Sequence, residues 1–332
     1  MKDGTLVTVI ITSHNRKEFL IQAVNSILNQ NLIHEKCEII VVKNFIDSQI
    51  DIFLHDNNVL TLFSDSSDLG SKIEYSLKYV NGEIIYFLDD DDTFEPDKIH
   101  IITNFFLKNP ELYYVHNNQN LMNDKGIILI DKRTNCKTND FNILDLNEAS
   151  KQGIIRIILK KKLTFNLSSI SIRKESLPEF KNLLSVVTLR TDFASLVSII
   201  EDNKKLIGYT NFPFTNYRIH ETNLSKLRLE NKNSFMFLLN SINNLLLIKN
   251  YSKNTIIKLL CDYFINDAWI KLNFFYGNLR KPKDYEISLK KLLEEVFITH
   301  RLQNISLYLV LKVLKQRQSI YSFAIKIYRF FQ

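Results

Sequence analysis

Four consecutive carboxylates, Asp89, Asp90, Asp91 and Asp92, follow directly on five apolar residues, Ile84 to Leu88. Like charges at this spacing repel one another appreciably even near a surface. A counter-cation relieves that repulsion, and hard divalent ions such as Mg²⁺ or Mn²⁺ prefer oxygen ligands. Mg²⁺ is commonly held by one or two carboxylates together with substrate phosphates, so the run points to a phosphorylated ligand as well as a metal. The plainer alternative is a solvated acidic turn ahead of a helix, where Asp is favoured. A second polar group, Thr12, Ser13, His14 and Asn15, ends a β-branched run and precedes an amphipathic stretch. Free N–H groups at such a helix start suit a base or a phosphate; the alternative is that these residues only cap the helix.

The elements that must position these groups follow from periodicity. The run Ile84–Leu88 reads as a strand buried on both faces, whose carboxyl end lies where open α/β sheets bind ligands. Leu6 to Thr12 reads as a first such strand. Apolar residues at Phe19, Leu20, Ala23, Val24, Ile27 and Leu28 form one helical stripe, and Asn15 with Glu18 has capping-box spacing. Cys37 to Val42 and Val59 to Phe63 are further strands, and Lys72 to Val80 a helix. Strands alternating with helices predict an α/β fold: an open, mostly parallel sheet with right-handed crossovers, flanked by helices. Beyond the acidic run, Leu112–His116 and Ile127–Ile130 read as a strand pair joined by the turn-rich HNNQNLMNDKG. Residues 131–165 read as irregular loops, and Phe165–Ile172 as a strand entering a helix.

The 332 residues, 45% hydrophobic and 24% charged, are enough for one large domain or two with a sizeable core. Cys37, Cys136 and Cys261 are widely spaced, which excludes a CxxC zinc site or a disulfide framework and fits a reducing interior. With no apolar leader and no run of 18 apolar residues, neither a secretory signal nor a membrane span is expected, and the expected location is cytoplasmic. Net charge is +7 but uneven: residues 223–332 carry 18 Lys/Arg against 7 Asp/Glu, leaving the first 222 residues net acidic. This sets the expected division, a catalytic domain over 1–222 and a basic helical region over 223–332. Phe235–Ile248 and Ile256–Phe264 have helical spacing. The last stretch, with Lys312, Lys315, Arg317, Lys326 and Arg329, reads as a basic amphipathic helix suited to the inner face of a membrane. A helical subdomain packed on the rest of the chain, or on a second copy as a homo-oligomer, is the alternative. No nucleic-acid-binding motif accompanies the basic charge, so nucleic acid is not an expected partner.

The segments VTVIITSHNRKEFLIQAVNSILNQ, CEIIVV and NGEIIYFLDDDDTFEPDKI, in this order, resemble the family 2 glycosyltransferases of GT-A fold. The resemblance covers residues 5–110 well and extends more weakly to about 225. It implies an enzyme moving a sugar from a nucleotide-sugar donor to an acceptor hydroxyl, with Thr12, His14, Asn15 and Arg16 at the donor edge. Asp89 and Asp91 would hold Mg²⁺ or Mn²⁺ on the donor diphosphate, with Asp90 and Asp92 near the ribose, the sugar or the helix cap. Two positions depart from the family pattern. The second strand usually ends in an Asp that contacts the base, where this chain has Lys43 and Asn44, and an Ala-Arg-Asn before the acidic strand is replaced by a segment offering Lys72 as counter-charge.

The stretch from Thr188 to Ser225 resembles the family's later motif, an acidic helix start followed by a strand and Tyr-Arg-x-His. On that match Asp192 is the general base of an inverting transfer, against the reading that it is only a first-turn residue capped by Thr191. Glu201 and Asp202 are weaker alternatives. His220 would ligate the metal or bond the diphosphate, and Arg218 is read as structural. The acceptor would be a surface glycan, a lipid-linked sugar or a protein. Two rival readings stand beside this one: a sugar-phosphate nucleotidyltransferase, and a non-catalytic nucleotide-sugar-binding scaffold.

Overall fold

The computed structural model describes residues 7–31, 37–131, 140–202, 206–220 and 232–276. The chain divides into two compact units, residues 1–150 with 157–220 and residues 151–156 with 221–332. The elements of the first unit run β1 (Val7–Thr12), α1 (Leu20–Leu28), β2 (Cys37–Lys43), α2 (Ser48–Asp56), β3 (Leu60–Phe63), α3 (Leu69–Ser76), β4 (Ile84–Asp89), β5 (Thr93–Phe94), α4 (Lys98–Lys108), β6 (Leu112–Met122), β7 (Ile128–Ile130), β8 (Phe141–Asp145), α5 (Lys151–Lys160, shared with the second unit), β9 (Ile170–Arg173), α6 (Leu177–Leu184), α7 (Thr191–Glu201) and β10 (Leu206–Arg218).

One mixed sheet carries the unit, in the order β3-β2-β1-β4-β9-β6-β10-β5, with β7 on β6 and β8 on β10. Its first four strands are parallel, as their apolar runs require, and β1 and β4 are buried along almost their whole length. Helices cover both faces. Leu20, Val24 and Ile27 of α1, Leu54 of α2 and Ile102 and Phe106 of α4 pack with Val9, Ile11, Val41, Tyr86 and Leu88. On the other face the Phe87 ring meets Phe180 of α6 at 5.7 Å.

The expectation of a mostly parallel sheet holds for this half. In the other half β9 enters antiparallel between β4 and β6, and β10 returns parallel to β6. The polar HNNQNLM is strand, not turn: β6 continues through it because β10 supplies a ladder partner as far as Met122. Its buried amides are satisfied sideways, Asn120 by Asn216 (3.0 Å) and Gln119 by Ser169 (2.8 Å). The segment expected to be irregular between 131 and 165 contains β8 and α5. Helix α1 begins at Leu20 rather than after Asn15, because Asn15 adopts a left-handed backbone, φ 55°, inside a loop.

Two clamps fix the acidic turn on this scaffold. Gln30, just past α1, donates from Nε2 to the Glu95 carbonyl (2.7 Å) and accepts from the Ile99 N–H (2.9 Å), holding both ends of the Glu-Pro-Asp-Lys segment. Ser26 Oγ accepts from Phe94 N–H at 3.1 Å.

In the second unit α8 (Lys232–Tyr251) and α9 (Thr255–Tyr276) pack along Leu238, Ile242, Leu245 and Ile248 on one helix and Ile257, Leu260, Ile265 and Trp269 on the other. Lys249 and Asp262 pair across them at 2.7 Å. The expected helices at 235–248 and 256–264 lie within these two. No described helix is long and apolar enough to cross a membrane. The basic stretch at 305–332 lies outside the described residues.

Gly82 crosses β1 so closely that a Cβ there would sit 2.4 Å from the Thr8 nitrogen, with neither backbone free to give. Gly82→Ala is therefore expected to destabilise the first unit by about 1–3 kcal/mol, read as a lower urea midpoint at unchanged slope.

Candidate active site

Strand register brings the two polar segments together. Thr12, the last residue of β1, lies opposite Asp89, the last of β4. Arg16 then reaches across the edge: Nη2 pairs with Asp90 Oδ1 and Nη1 with Asp91 Oδ2, each at 2.5 Å. Ser13 Oγ donates to the other Asp90 oxygen at 2.6 Å. Asp90 is thus fully buried with both oxygens held by the first loop. The remaining three carboxylates converge, with oxygens of Asp89, Asp91 and Asp92 all within 4.8 Å of one another. Asp92, whose Oδ1 accepts from Arg218 N–H (2.9 Å) and Oδ2 from Asn166 Nδ2 (3.1 Å), therefore joins the expected pair Asp89 and Asp91.

This crowding is visible in the acidities. Burial, and then the charges of Asp91 and Asp92, push Asp89 well above the ordinary carboxylate value. Burial, reinforced by Asp91, raises Asp92 to about 7. Burial raises Asp90 to about 6 against the opposing Arg16 charge. For Asp91, burial is outweighed by the His220 hydrogen bond and by Arg16, which hold its pKa below the ordinary carboxylate value. A hard-oxygen set this close, with carboxylates kept from ionising by one another, fits Mg²⁺ or Mn²⁺. Asp89, Asp91 and Asp92 are the residues that would hold the ion.

The end of β10 closes the cluster from the far side of the sheet. Arg218 is fully buried, with Nε on the Asp91 carbonyl (2.6 Å), Nη1 on the Asn123 and Asp124 carbonyls, Nη2 on Gln22 Oε1 (2.7 Å) and its plane over the Phe19 ring. This is the structural part read from the sequence. His220 Nε2 lies 2.8 Å from Asp91 Oδ2. From below, buried Lys98 donates to the Ser168 carbonyl (2.5 Å) and to Thr215, while Ser168 Oγ accepts the Asp89 N–H at 3.0 Å.

The donor edge is built by side chains that hold one another. Lys72, 2% exposed, donates to the Ser13 carbonyl at 2.6 Å and lies 3.2 Å from His14 Nδ1. Burial brings its pKa down to about 8, the Asp90 charge opposing. Burial and the Lys72 and Arg16 charges keep His14 below its ordinary value. Asn15 and Asn44 pair reciprocally, Asn44 Oδ1 accepting the Asn15 N–H (2.8 Å) and its Nδ2 donating to Asn15 Oδ1 (2.9 Å). Lys43 turns away into the protein, where Nζ pairs with Asp51 at 2.7 Å.

Asp192 lies in the first turn of α7, preceded by Arg190 in a left-handed conformation at the cap position, so Thr191 is a helical residue rather than the cap. Its Oδ1 accepts the Phe193 N–H at 2.8 Å. Burial raises its pKa against Arg190 and the N–H groups of Phe193 and Asn166. Asn166, itself left-handed at φ 62°, therefore bonds Asp92 with its side chain and faces Asp192 with its backbone. Glu201 and Asp202 end the same helix, away from that loop. Asn166, Ser168 and Lys98 escaped the sequence reading. Ser13 stood inside the polar group at the end of β1, whereas nothing near Asn166 or Ser168 signals their long-range bonds.

Metal affinity at this cluster should fall with acid. Without an ion, the raised Asp92 stabilises the fold only while protonated, a contribution present below its unfolded value of 3.8 and lost as pH rises through about 7. His116, lowered by burial to about 4, works in the opposite sense between about pH 4 and 6.5, so the expected observable is the metal-dependent part alone. The rise in melting temperature caused by Mn²⁺ should be small at pH 5.5 and grow through pH 7.5, and differential scanning fluorimetry with and without the ion reads it.

Comparison with known proteins agrees with this architecture. The model of the family described as glycosyl transferase family 2 matches residues 8–163. The minor teichoic acid biosynthesis protein GgaB of Bacillus subtilis is 25% identical over 274 residues, 78% of this chain and 28% of that protein, so the chain spans less than a third of this relative. An uncharacterized glycosyltransferase of Rickettsia conorii is 28% identical over 128 residues, 37% of this chain and 21% of that one. Crystal structures of S. aureus TarS 1-349, in complex with UDP and with UDP-GlcNAc, share the fold at TM-score 0.54 and 12% identity over 88% of this chain. They cover 78% and 79% of the TarS chains respectively. The segment matched by the family 2 glycosyltransferase model, residues 8–163, contains the acidic turn at the carboxyl end of β4, so this part of the chain is similar to that family.

Proposed function

We propose that this chain transfers a sugar from a nucleotide-sugar donor to an acceptor hydroxyl, with inversion at the anomeric carbon. The observation that carries the reading is Asn166, which bonds Asp92 of the acidic cluster and faces Asp192, setting a diphosphate site beside a base. Asp89, Asp91 and Asp92 would hold Mg²⁺ or Mn²⁺, which when bound would offset the charge of the leaving diphosphate. Arg16, Lys72, His14 and His220 line the same edge and orient the phosphates. Thr12, Asn15, Asn44 and Asp90 fix the loop that receives the nucleoside. Asp192 takes the proton from the attacking hydroxyl, and its raised pKa makes it a stronger base than an exposed aspartate. UDP and UDP-GlcNAc bound to TarS support a nucleotide-sugar donor, and the name of GgaB supports a surface polymer as acceptor. Peripheral contact with the inner membrane face, through the basic residues after 305, would suit such an acceptor.

The first test is thermal stability against nucleoside diphosphates and nucleotide sugars with and without Mn²⁺. A metal-dependent rise with one nucleotide is expected, absent in an Asp89→Asn/Asp91→Asn double variant. No shift with any donor would reject the reading. Asp192→Asn should keep that donor shift and lose roughly 10²–10⁴-fold in transfer rate. A full rate in that variant would remove Asp192 as the base, and an absence of transfer in the unaltered protein would favour a binding scaffold.

A further inference from the structure

The loop between α5 and β9 touches the acidic cluster at two points, while the side chains that support it lie on β6. Asn166 takes a positive φ of 62°, where glycine is the usual occupant. A side chain kept where the backbone disfavours one asks for a reason. Here Nδ2 donates to Asp92 Oδ2 at 3.1 Å and Oδ1 accepts the Ser168 N–H at 3.0 Å. Ser168 Oγ in turn accepts the Asp89 N–H at 3.0 Å. One short turn therefore bonds two of the three residues whose carboxylates converge.

That turn is gripped by two side chains placed two residues apart on β6, which strand alternation puts on one face. Tyr114 Oη donates to the Leu163 carbonyl at 2.5 Å, and His116 Nε2 lies 2.9 Å from the Phe165 carbonyl. A carbonyl only accepts, so His116 carries its proton on Nε2. Burial, with the Lys98 charge, brings its pKa down to about 4 against the Phe165 bond, so the ring is neutral at physiological pH. Tyr114 and His116 are both buried, where polar groups need partners. Each finds one in the backbone of this loop, and the Phe165 carbonyl that His116 holds immediately precedes Asn166.

We propose that Tyr114 and His116 are positioning residues for the acidic cluster: by holding the Leu163 and Phe165 carbonyls they fix the Asn166–Ser168 turn, and through it the placement of Asp92 and Asp89. The proposal rests on the metal site of the transferase reading. Mg²⁺ demands a near-ideal arrangement of oxygens. Three carboxylates that repel one another keep such an arrangement only under restraint. Arg16 and His220 restrain Asp91, whereas Asp92 is held by the Arg218 N–H and by Asn166. The β6 pair gives Asn166 a fixed base from which to act.

The test counts Mn²⁺ held by the full chain, from the EPR signal of the free ion, in titrations without and with UDP. Asn166→Gly suits the positive φ and removes only the amide, and it should weaken Mn²⁺ binding by about 10-fold. His116→Leu and Tyr114→Phe should each weaken it by about 3- to 10-fold. His116→Gln, which keeps a neutral donor, should stay within about 2-fold of the unaltered protein. If the pair acts through the turn, His116→Leu should cost little further affinity once Asn166→Gly is present. Additive losses would overturn the proposal, as would variants of His116 and Tyr114 that melt lower yet hold Mn²⁺ as tightly as the unaltered protein. Should His116→Leu fail to fold, Tyr114→Phe carries the same cycle, since it removes a single hydroxyl. Weaker Mn²⁺ binding in Asn166→Gly with none in the β6 variants would overturn the positioning role alone and leave the metal site standing. An unaltered protein that holds no Mn²⁺ in either titration would overturn both. Coupled losses of Mn²⁺, with no tighter binding on adding UDP, would support the positioning role and count against the nucleotide-sugar reading.

Discussion

Four adjacent carboxylates at the mouth of a strand buried on both faces are the constraint that the rest of the first unit answers. Desolvation and mutual repulsion both oppose this arrangement. The fold brings polar partners from four separate parts of the chain to hold it. Ser13 and Arg16 come from the loop after β1, Lys98 from the first turn of α4, Asn166 and Ser168 from the turn before β9, and Arg218 with His220 from the end of β10. Ser13, Lys98, Asn166, Ser168 and Arg218 are polar and buried, so each depends on the others for its hydrogen bonds. The sheet order follows from the same need. Inserting β9 between β4 and β6 puts the Asn166–Ser168 turn directly over the end of β4.

The parallel half of this fold was legible because its strands are apolar on both faces and its helices carry one clear stripe. β1, α1, β2, β3 and β4 all fall close to where their periodicity puts them. The acidic cluster was legible for the same reason: the end of a buried strand has a known address in the sheet. What stayed hidden depends on partners far away in sequence. The run from His116 to Met122 has the composition of a turn, and only the ladder to β10 and the lateral amide bonds keep it extended. Asn15 has the spacing of a helix cap, yet its N–H goes to Asn44, a residue 29 positions on, which holds the loop open.

The site shows the same division. Arg16, Lys72, Asp89, Asp91 and His220 were named from local pattern and resemblance, and the structure gathers them on one edge. Asn166 could not be named, because its importance lies in a left-handed backbone and in two contacts 26 and more residues away. Lys98 stood inside a segment read as a helix start, and only the burial of its ammonium under the acidic turn reveals a second task.

A tight turn cannot aim four successive side chains the same way, and this gives the run its division of labour. Asp90 points into the protein and is matched there by Arg16 and Ser13, so it anchors the turn to the first strand. Asp89, Asp91 and Asp92 are left to converge. Anchoring one carboxylate is what allows three others to be held close enough to share a cation, because the Arg16 charge that satisfies Asp90 also bonds Asp91. Arg16 therefore sets the electrostatic balance of the whole edge. It lowers the cost of ionising Asp90, Asp91 and Asp89, it depresses His14 and Lys72, and the raised Asp92 is held instead by Arg218, Ser168 and Asn166. Three carboxylates held this close, each opposing the ionisation of the others, are a set whose crowding a divalent cation would relieve.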